Sequence, residues 1–331
     1  GITAVGGETI ANTQTSDEQR NPVVAAADDG SYVIVWESNN QDGDKYGIYG
    51  QRFDANGAKV GSEFQVNSTT TGDQKEAAVA MDDAGNFVII WESADADRKG
   101  IFGQRYNSSG GTVGSEFQVN SGDQKNADVA MDDSSNFVVV WESDDANKKG
   151  IFGQRYDSLG ATVGSEFQVN TTTQNDQKEA AVAMDSSGNF IVTWSSDRQA
   201  GAKLGVYGKL YDSTGALGGI EFRGNNETGG DQRNSDVAMD DAGNFVVVWE
   251  SKGQDGSQNG IYGKLYDATG SVVKTEFQVS TATANDQKAP AVSMDGNGGS
   301  CIVVWQSDLQ DGSQYGVYGQ LFDNTGTAVG T

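Results

Sequence analysis

The sequence predicts an all-β protein, a six-bladed β-propeller with four-stranded blades. Three observations carry this prediction: a repeat marked by tryptophan, four strand-like segments in each repeat, and matching sequences at the two chain ends. The 331-residue chain contains six tryptophans, which recur at intervals of 50 to 56 residues. They are Trp36, Trp91, Trp141, Trp194, Trp249 and Trp305. A repeat of this length with several short strands is typical of a propeller blade.

The repeat that begins at Asp73 shows the four predicted strands most clearly. Strand A lies around residues 77–81, strand B at 87–92, strand C at 101–106 and strand D at 116–119. Asp, Asn, Ser and Gly cluster between A and B and between C and D, where Gly and Asn allow the positive φ angles of tight turns. Strand B is apolar on both faces, which is typical of a sheet covered on both sides, as a blade is by its neighbours.

The chain ends predict how the sixth repeat is completed. The last repeat stops near the start of its strand D, and residues 7–12 resemble strand D residues 62–67. With Glu8 as the register point, the remainder after Trp305 and the start of the chain add to one ordinary repeat. We therefore expect an N-terminal strand, residues 5–12, to complete the last blade and remove a sheet edge. An open array of repeats, which would need polar caps, is the alternative.

The repeat therefore predicts a single domain, residues 1–331, with six blade cores. Their predicted bounds are residues 18–67, 73–120, 123–170, 176–225, 231–280, and 286–331 together with 5–12.

Charge and composition exclude several classes of function. The formal net charge is −25, and such a surface repels nucleic acid and anionic membranes, so neither is expected as a partner. The sequence has no histidine and one cysteine, Cys301, at a position that is aromatic in the other blades. We expect Cys301 to be a small buried residue, and Ser-His and Cys-His mechanisms are excluded. No apolar run is long enough to predict a membrane span.

A motif of acid, amide and base ends each predicted connection from strand D to the next strand A. We expect these connections to share one face of the ring with the B-to-C loops, at the mouth of the channel. Sixfold repetition favours a structural role, in which each blade hydrogen-bonds the next, and the alternative is a polar rim that holds a cation or a sugar. The candidate ligand-binding residues of this motif are Asp73, Gln74, Asp123, Gln124, Asp176, Gln177, Asp231, Gln232, Asp286 and Gln287.

The predicted B-to-C loops differ among the blades, as binding loops do. Asn40, Asp42 and Asp44 have the i, i+2, i+4 spacing of oxygen ligands in a calcium loop, although the closing glutamate is missing. Asp255 and Asp311 lie in the related loops of blades five and six. These four aspartates are candidate calcium ligands, and a glycine turn with solvated acids is the alternative.

Strand C divides the blades into two classes. Blades one to three carry Arg52, Arg105 and Arg155 after the Gly-aromatic-Gly element, where blades four to six carry leucine. An arginine that alternates with leucine is expected to pack its stem and keep its head at an edge. Contact with a sugar between blades is the other hypothesis for these arginines.

The run Gly-x-Tyr-Gly-Gln-Arg-Tyr-Asp-x-x-Gly, followed by Gly-Ser-Glu-Phe-Gln-Val-Asn, resembles repeats of large secreted bacterial proteins that carry calcium-binding or adhesin-like modules. The clearest copies are residues 141–170 and 249–279. The resemblance implies an extracellular or cell-surface setting, with other domains of a larger parent chain as possible neighbours, and it implies no catalytic residues. In fold only, the chain is similar to six-bladed lectins and sialidases, and it lacks the clear asymmetric arginine triad of sialidases.

These observations lead to the expectation of a non-catalytic binding or adhesion module. An enzyme needs an asymmetric group of residues, whereas the attractive acids here repeat from blade to blade. A glycan or an extracellular protein is the expected partner, with calcium as the possible cofactor. A structural subunit of a surface or fibrous assembly is the alternative, and a glycan-active hydrolase or lyase is the least favoured of the three.

Overall fold

The computed structural model describes residues 7–95, 98–145, 148–199, 203–216, 218–310 and 312–330. Within these ranges the chain forms six antiparallel sheets, each built from four strands that are consecutive in sequence. This arrangement is a six-bladed β-propeller, and it confirms the predicted fold class. Among the described residues there is no helix long and apolar enough to cross a membrane.

The strands follow the tryptophan repeat, so each blade has strands A to D in chain order. Blades one to three contain β1 (Gln19–Ala26), β2 (Tyr32–Asn39), β3 (Tyr46–Phe53), β4 (Lys59–Gln65), β5 (Gln74–Met81), β6 (Phe87–Asp95), β7 (Arg98–Tyr106), β8 (Thr112–Ser121), β9 (Lys125–Met131), β10 (Phe137–Asp144), β11 (Lys149–Tyr156) and β12 (Thr162–Gln168). Blades four to six contain β13 (Gln177–Met184), β14 (Phe190–Asp197), β15 (Leu204–Tyr211), β16 (Phe222–Arg223), β17 (Gln232–Met239), β18 (Phe245–Lys252), β19 (Asn259–Tyr266), β20 (Val272–Gln278), β21 (Gln287–Met294), β22 (Cys301–Asp308), β23 (Tyr315–Phe322) and β24 (Ala328–Val329).

The chain divides into two compact units, each with its own core. The first comprises residues 2–143 and 154–166, and the second comprises residues 144–153 and 167–331. In the first unit, Val33, Val35 and Ile48 of blade one pack with Phe87 and Trp91 of blade two. In the second unit, blade five packs with blade four through one apolar cluster and with blade six through another.

Aromatic side chains fill these cores, as the sequence predicts. All six tryptophans are buried. Phe87 and Tyr106 stack within blade two with their ring centroids 4.7 Å apart. Phe64 of blade one tilts against Tyr106 at 5.3 Å. The same arrangement of stacked pair and tilted ring recurs in the next blade, where Phe117 lies against Tyr156.

The first strand of a blade carries an irregularity that the sequence pattern did not predict. In all six blades the register between strands A and B shifts just after the basic residue of the acid-amide-base motif. The residue at this bulge has a positive φ of 49 to 57° in all six blades: Asn21, Glu76, Asn126, Glu179, Asn234 and Ala289. Asparagine adopts this conformation more readily than glutamate or alanine, so Glu76 and Glu179 are unusual residues for the position.

The sixth sheet corrects part of the expectation for the chain ends. Its fourth strand is β24, which comes from the C-terminal segment and pairs with β23 through Leu321–Val329 and Phe322–Ala328. Residues 7–12 form no strand, and residues 5 and 6 lie outside the described residues. We expected the C-terminal segment to end before strand D of the last blade begins. In the structure this segment forms the two-residue strand β24.

Candidate functional site

The first unit contains a polar cavity of about 430 Å³ at the end of the blades where strand B finishes and strand A begins. Residues from blades two and three line it, and they include four carboxylates and three lysines. The lining residues are Asp73, Lys75, Glu76, Glu92, Ser93, Ala94, Lys99, Gly122, Asp123, Gln124, Lys125 and Asn126.

A repeated hydrogen bond positions the glutamate that follows the tryptophan of strand B. The bulge residue of the next blade turns its backbone N–H toward this carboxylate. In the first unit, the Glu76 N–H donates to Glu37 Oε1 at 2.9 Å, and the Asn126 N–H donates to Glu92 Oε1 at 2.5 Å. In the second unit, the Ala289 N–H donates to Glu250 Oε1 at 2.8 Å. The positive φ at the bulge thus has a structural purpose, which is to link successive blades.

In blades one and five, groups of the same blade also neutralise this glutamate. Glu37 accepts from Arg20 Nε at 2.9 Å and from Asn21 Nδ2 at 3.0 Å. In blade five, the equivalent Glu250 accepts from Arg233 Nε at 3.2 Å and from Asn234 Nδ2 at 2.7 Å. The carboxylates of both are buried yet have a cation and an amide as partners, so their charge is compensated.

Blade two departs from this pattern at both compensating positions. Glu76 stands where blades one, three and five have asparagine, and Lys75 turns to Asp73, with Nζ 3.1 Å from Oδ2. Among the side chains that the structure describes, none of Arg, Lys or amide type bonds to Glu92. The result is a half-buried carboxyl group beside a second carboxylate, facing a cavity.

This environment raises the pKa of Glu92 to about 7. Burial is the largest cause, and the nearby charges of Glu76 and Glu142 add to it. The hydrogen bond from the Asn126 N–H and the charge of Lys125 lower the pKa without offsetting the burial. A carboxyl group with this pKa exists in both protonation states near neutral pH, and general acid–base catalysis requires that property.

In blade four, the carboxylate that links to the next blade comes from a different position of the repeat. Ser195 replaces the strand B glutamate, and Glu179 occupies the bulge. The Asn234 N–H of the next blade then donates to Glu179 Oε2 at 2.8 Å, and Ser195 Oγ donates to the same oxygen at 2.7 Å. One carboxylate per blade is therefore enough for the link between blades. Blade two has two carboxylates at these positions, so the link does not need both Glu76 and Glu92.

Some of the predicted motif residues line the cavity, and others are buried inside their blades. Asp73, Asp123 and Gln124 line the cavity, so the structure brings them together with Glu76 and Glu92. The other glutamines of the predicted set are buried inside their blades. Their amides bond the tryptophan or the preceding loop: Trp194 Nε1 donates to Gln177 Oε1, Trp249 Nε1 donates to Gln232 Oε1, Gln74 Nε2 donates to the Thr71 carbonyl, and Gln287 Nε2 donates to the Ala284 carbonyl.

The acidic members of the motif pair mostly with lysines of the same blades. Asp176 lies 2.9 Å from Lys178 Nζ and Asp286 lies 2.8 Å from Lys288 Nζ. The hydrogen bond from Lys178 holds the pKa of Asp176 below its ordinary value. Asp231 accepts from the Leu204 N–H at 3.3 Å, which joins the end of one blade to the loop of another.

The arginines of strand C lie at the opposite end of the blades, beside the hairpins that join C to D. Arg52 donates to the carbonyls of Ser108 and Ser109 at 2.5 and 2.6 Å. Arg105 donates to the carbonyls of Ser158 and Leu159, both at 2.6 Å. The structure therefore does not bring Arg52, Arg105 and Arg155 together with the motif residues. Arg52 and Arg105 each link their blade to the next.

The candidate calcium loops use their carboxylates locally. The Gly72 N–H donates to Asp44 Oδ2 at 2.9 Å, and Asn67 Nδ2 donates to Asp42 Oδ2 at 3.3 Å. Asp255 Oδ1 accepts from the Ser257 N–H at 3.0 Å, and Asp311 lies outside the described residues. Among the described residues no group of three or more potential ligands could hold a metal ion. Calcium binding stays a prediction.

Sequence reasoning missed Glu76 and Glu92 as a pair. Glu92 belongs to the repeated Trp-Glu-Ser segment and looked structural for that reason. The available signal was the residue after the acid-amide-base motif, which is asparagine in three blades, glutamate in two and alanine in one.

Comparison with known proteins supports the fold and bears on the function. No protein-family model and no curated protein matches the chain. Among solved structures, an α-L-arabinanase from Penicillium chrysogenum in complex with arabinobiose is similar with a TM-score of 0.61 and 12% identity, over 92% of this chain and 94% of that one. An α-L-arabinofuranosidase from Fusarium graminearum with an iminosugar inhibitor gives 0.59 and 11%, over 91% and 92%. A Hadza microbial sialidase gives 0.55 and 11%, over 91% and 65%. At this identity the likeness establishes a shared fold.

These comparisons overturn the expectation of a non-catalytic adhesion module or assembly subunit. The chain shares its fold with enzymes that act on glycans, over nine tenths or more of its length. The physical reason for the error lies in blade two. An enzyme was the least favoured expectation because the acids repeat, yet the compensation of those acids does not repeat.

Proposed function

We propose that the protein is a glycoside hydrolase whose active site is the cavity lined by Glu76 and Glu92. The observation that carries this proposal is the pair itself. Glu92 is a half-buried carboxyl group without the cation and amide of its counterparts, and Glu76 replaces the amide. Two carboxyl groups with different environments are the arrangement that glycosidic bond cleavage requires.

In this proposal Glu92 is the general acid. Its proton passes to the glycosidic oxygen while the bond from that oxygen to the anomeric carbon breaks. The Glu76 carboxylate stabilises the positive charge that develops on the sugar. Water then supplies a hydroxyl group to the anomeric carbon, and its remaining proton goes to the Glu92 carboxylate. This transfer restores the protonated acid for the next turnover.

The remaining lining residues fit a sugar substrate. Ser93, Gln124 and Lys99 supply hydroxyl, amide and ammonium groups that hydrogen-bond sugar hydroxyls. The open cavity of about 430 Å³ has the size of ligand pockets in general. An extracellular setting, where polysaccharides occur, also fits the acidic surface. The choice among glycans is made by a substrate panel.

The test is release of reducing ends from arabinan, galactan, xylan and a sialylated glycoprotein by the purified protein. We expect activity on at least one of them. Glu92→Gln keeps the size and the acceptor for the Asn126 N–H, and it should lower kcat by about 10²- to 10⁴-fold, the range for loss of a general acid. Glu76→Asn introduces the residue of blades one, three and five, so it should fold well and also lose activity.

Glu250→Gln is the matched control, because Glu250 has the same repeat position but is compensated by Arg233 and Asn234. This variant should keep full activity per folded molecule. The proposal is wrong if the wild-type protein cleaves none of the substrates, or if Glu92→Gln and Glu250→Gln reduce activity equally.

A further inference from the structure

Two equivalent pockets at the hairpin end of the blades differ in size. One, in the first unit, lies between blades two and three and has a volume of about 170 Å³. The other, in the second unit, lies between blades five and six and has a volume of about 310 Å³. Their lining residues correspond position by position in the repeat. Asn86, Arg105, Tyr106, Val113, Met131 and Ser158 of the smaller pocket match Asn244, Leu265, Tyr266, Val273, Met294 and Asn324 of the larger.

An arginine fills the smaller pocket. The guanidinium group of Arg105 crosses it and donates to the carbonyls of Ser158 and Leu159 in the next blade. Burial lowers the pKa of this arginine, consistent with a packed stem. The space that remains is below the range of about 300 to 1,000 Å³ in which small-molecule pockets fall.

Leucine leaves the larger pocket open. Leu265 is buried and shorter than arginine, so it occupies less of the space between the hairpins than Arg105 does. The hairpin of blade six is also one residue longer than that of blade five and is rich in glycine, at Gly296, Gly298 and Gly299. Both changes enlarge the space between blades five and six.

The lining of the larger pocket is apolar at its base and polar at its rim. Leu265, Tyr266 and Met294 supply apolar surface. The rim carries the side chains of three asparagines, at 244, 297 and 324, and the described lining residues include no lysine or arginine. Asp240 Oδ1 and Oδ2 are already occupied by the N–H of Ala242 and by the backbone and side chain of Asn244. Such a lining suits a neutral ligand that has hydroxyl groups on one side and C–H groups on another.

We propose that this pocket binds a single neutral sugar residue, as a second carbohydrate site that shares no residue with the cavity of Glu92. The apolar face of the sugar would rest on Leu265 and Met294. The amides of Asn297 and Asn324 would hydrogen-bond its hydroxyl groups, together with Oδ1 of Asn244, whose Nδ2 already donates to Asp240. The pocket of blades two and three would not bind, because Arg105 occupies it.

The repeat supplies reciprocal variants for the test. Leu265→Arg introduces the residue of blades one to three and should close the pocket, with the Asn324 and Thr325 carbonyls as acceptors. Arg105→Leu should open the equivalent pocket between blades two and three. The probes are arabinose, galactose and glucose, each added to the full chain labelled at the methionine methyl groups and followed by NMR.

In the wild-type protein at least one sugar should shift the Met294 methyl signal in a saturable way, with a Kd in the millimolar range, and leave the Met131 signal unchanged. Leu265→Arg should abolish the Met294 response, and Arg105→Leu should create one at Met131. The double variant Asn297→Ala and Asn324→Ala, with both changes at exposed positions, should weaken binding about tenfold. It tests the proposal if Leu265→Arg does not fold. No response to any sugar, or a Met294 response that survives both sets of changes, overturns the proposal. Loss of hydrolysis by Glu92→Gln leaves this site untouched, so the two proposals fail separately.

Discussion

At the scale of residues, one change at the strand A bulge separates Glu92 from its counterparts. Asparagine at this position gives both a comfortable positive φ and an amide for the buried carboxylate. Glu76 keeps the φ of 50° and replaces the amide with a second negative group. A non-glycine residue in this conformation carries a cost, and such costs concentrate at functional sites.

The raised pKa of Glu92 predicts a pH dependence of stability with a definite sign. Between its ordinary value of 4.5 and about 7, the folded state binds more protons at this group than the unfolded state does. The free energy of unfolding contributed by Glu92 therefore falls as the pH rises through this window. Because the group is partly solvated, we expect a change of about 1 to 3 kcal/mol between pH 4.5 and 7.5.

Urea denaturation at the two pH values measures this change, and Glu92→Gln isolates it. The variant should lose that part of the pH dependence, whereas Glu250→Gln should keep it. The same titration should give kcat an alkaline limb near pH 7, since only the protonated form donates. If the wild-type protein and Glu92→Gln show the same pH dependence of unfolding, a group other than Glu92 causes it.

At the scale of elements, strand C shows how the repeat packs one blade. The ring of Phe117 lies directly over Gly103, so that a Cβ there would be 2.5 Å from the end of the ring. The equivalent Gly50, Gly153 and Gly208 meet Phe64, Phe167 and Phe222 at 2.7 Å. The Gly-aromatic-Gly element thus leaves room for the aromatic side chain of strand D.

Gly103→Ala should therefore destabilise the protein, because neither the ring nor the strand can move without disturbing the core. We expect a loss of about 1 to 3 kcal/mol, the range for an overpacked core. Chemical denaturation gives the value. Gly219→Ala is the matched control, since nothing lies within 4 Å of a Cβ at that position. If both variants unfold at the same denaturant concentration, the close contact is not a determinant of stability.

Most elements could be predicted from the sequence, because apolar patterning and turn residues repeat six times. The strands around Trp91 and the hairpins with Gly85 fall where their residues indicate. The bulge could not be predicted, because asparagine, glutamate and alanine share no pattern that signals a positive φ. The last strand D was misjudged because two residues, Ala328 and Val329, are too few to show alternation.

At the scale of the whole molecule, the sequence predicts the propeller and misleads about its function. The repeat that predicts the fold also conceals the site, because Glu92 looks like one of several structural glutamates. What distinguishes it is a set of contacts made by residues of two blades, and a list of residue types does not contain those contacts. The candidate site is therefore a departure from the repeat, as is the pocket opened by Leu265.

As the proposed general acid, Glu92 protonates the leaving group in a glycosidic cleavage. The most direct measurement compares the wild-type protein with Glu92→Gln on two substrates of the same sugar, one the natural glycan and the other an aryl glycoside with an acidic phenol. The phenolate departs without protonation. We expect a loss of about 10²-fold or more in kcat on the glycan and a small loss on the aryl glycoside. An equal loss on both substrates would contradict the role of Glu92 as the acid.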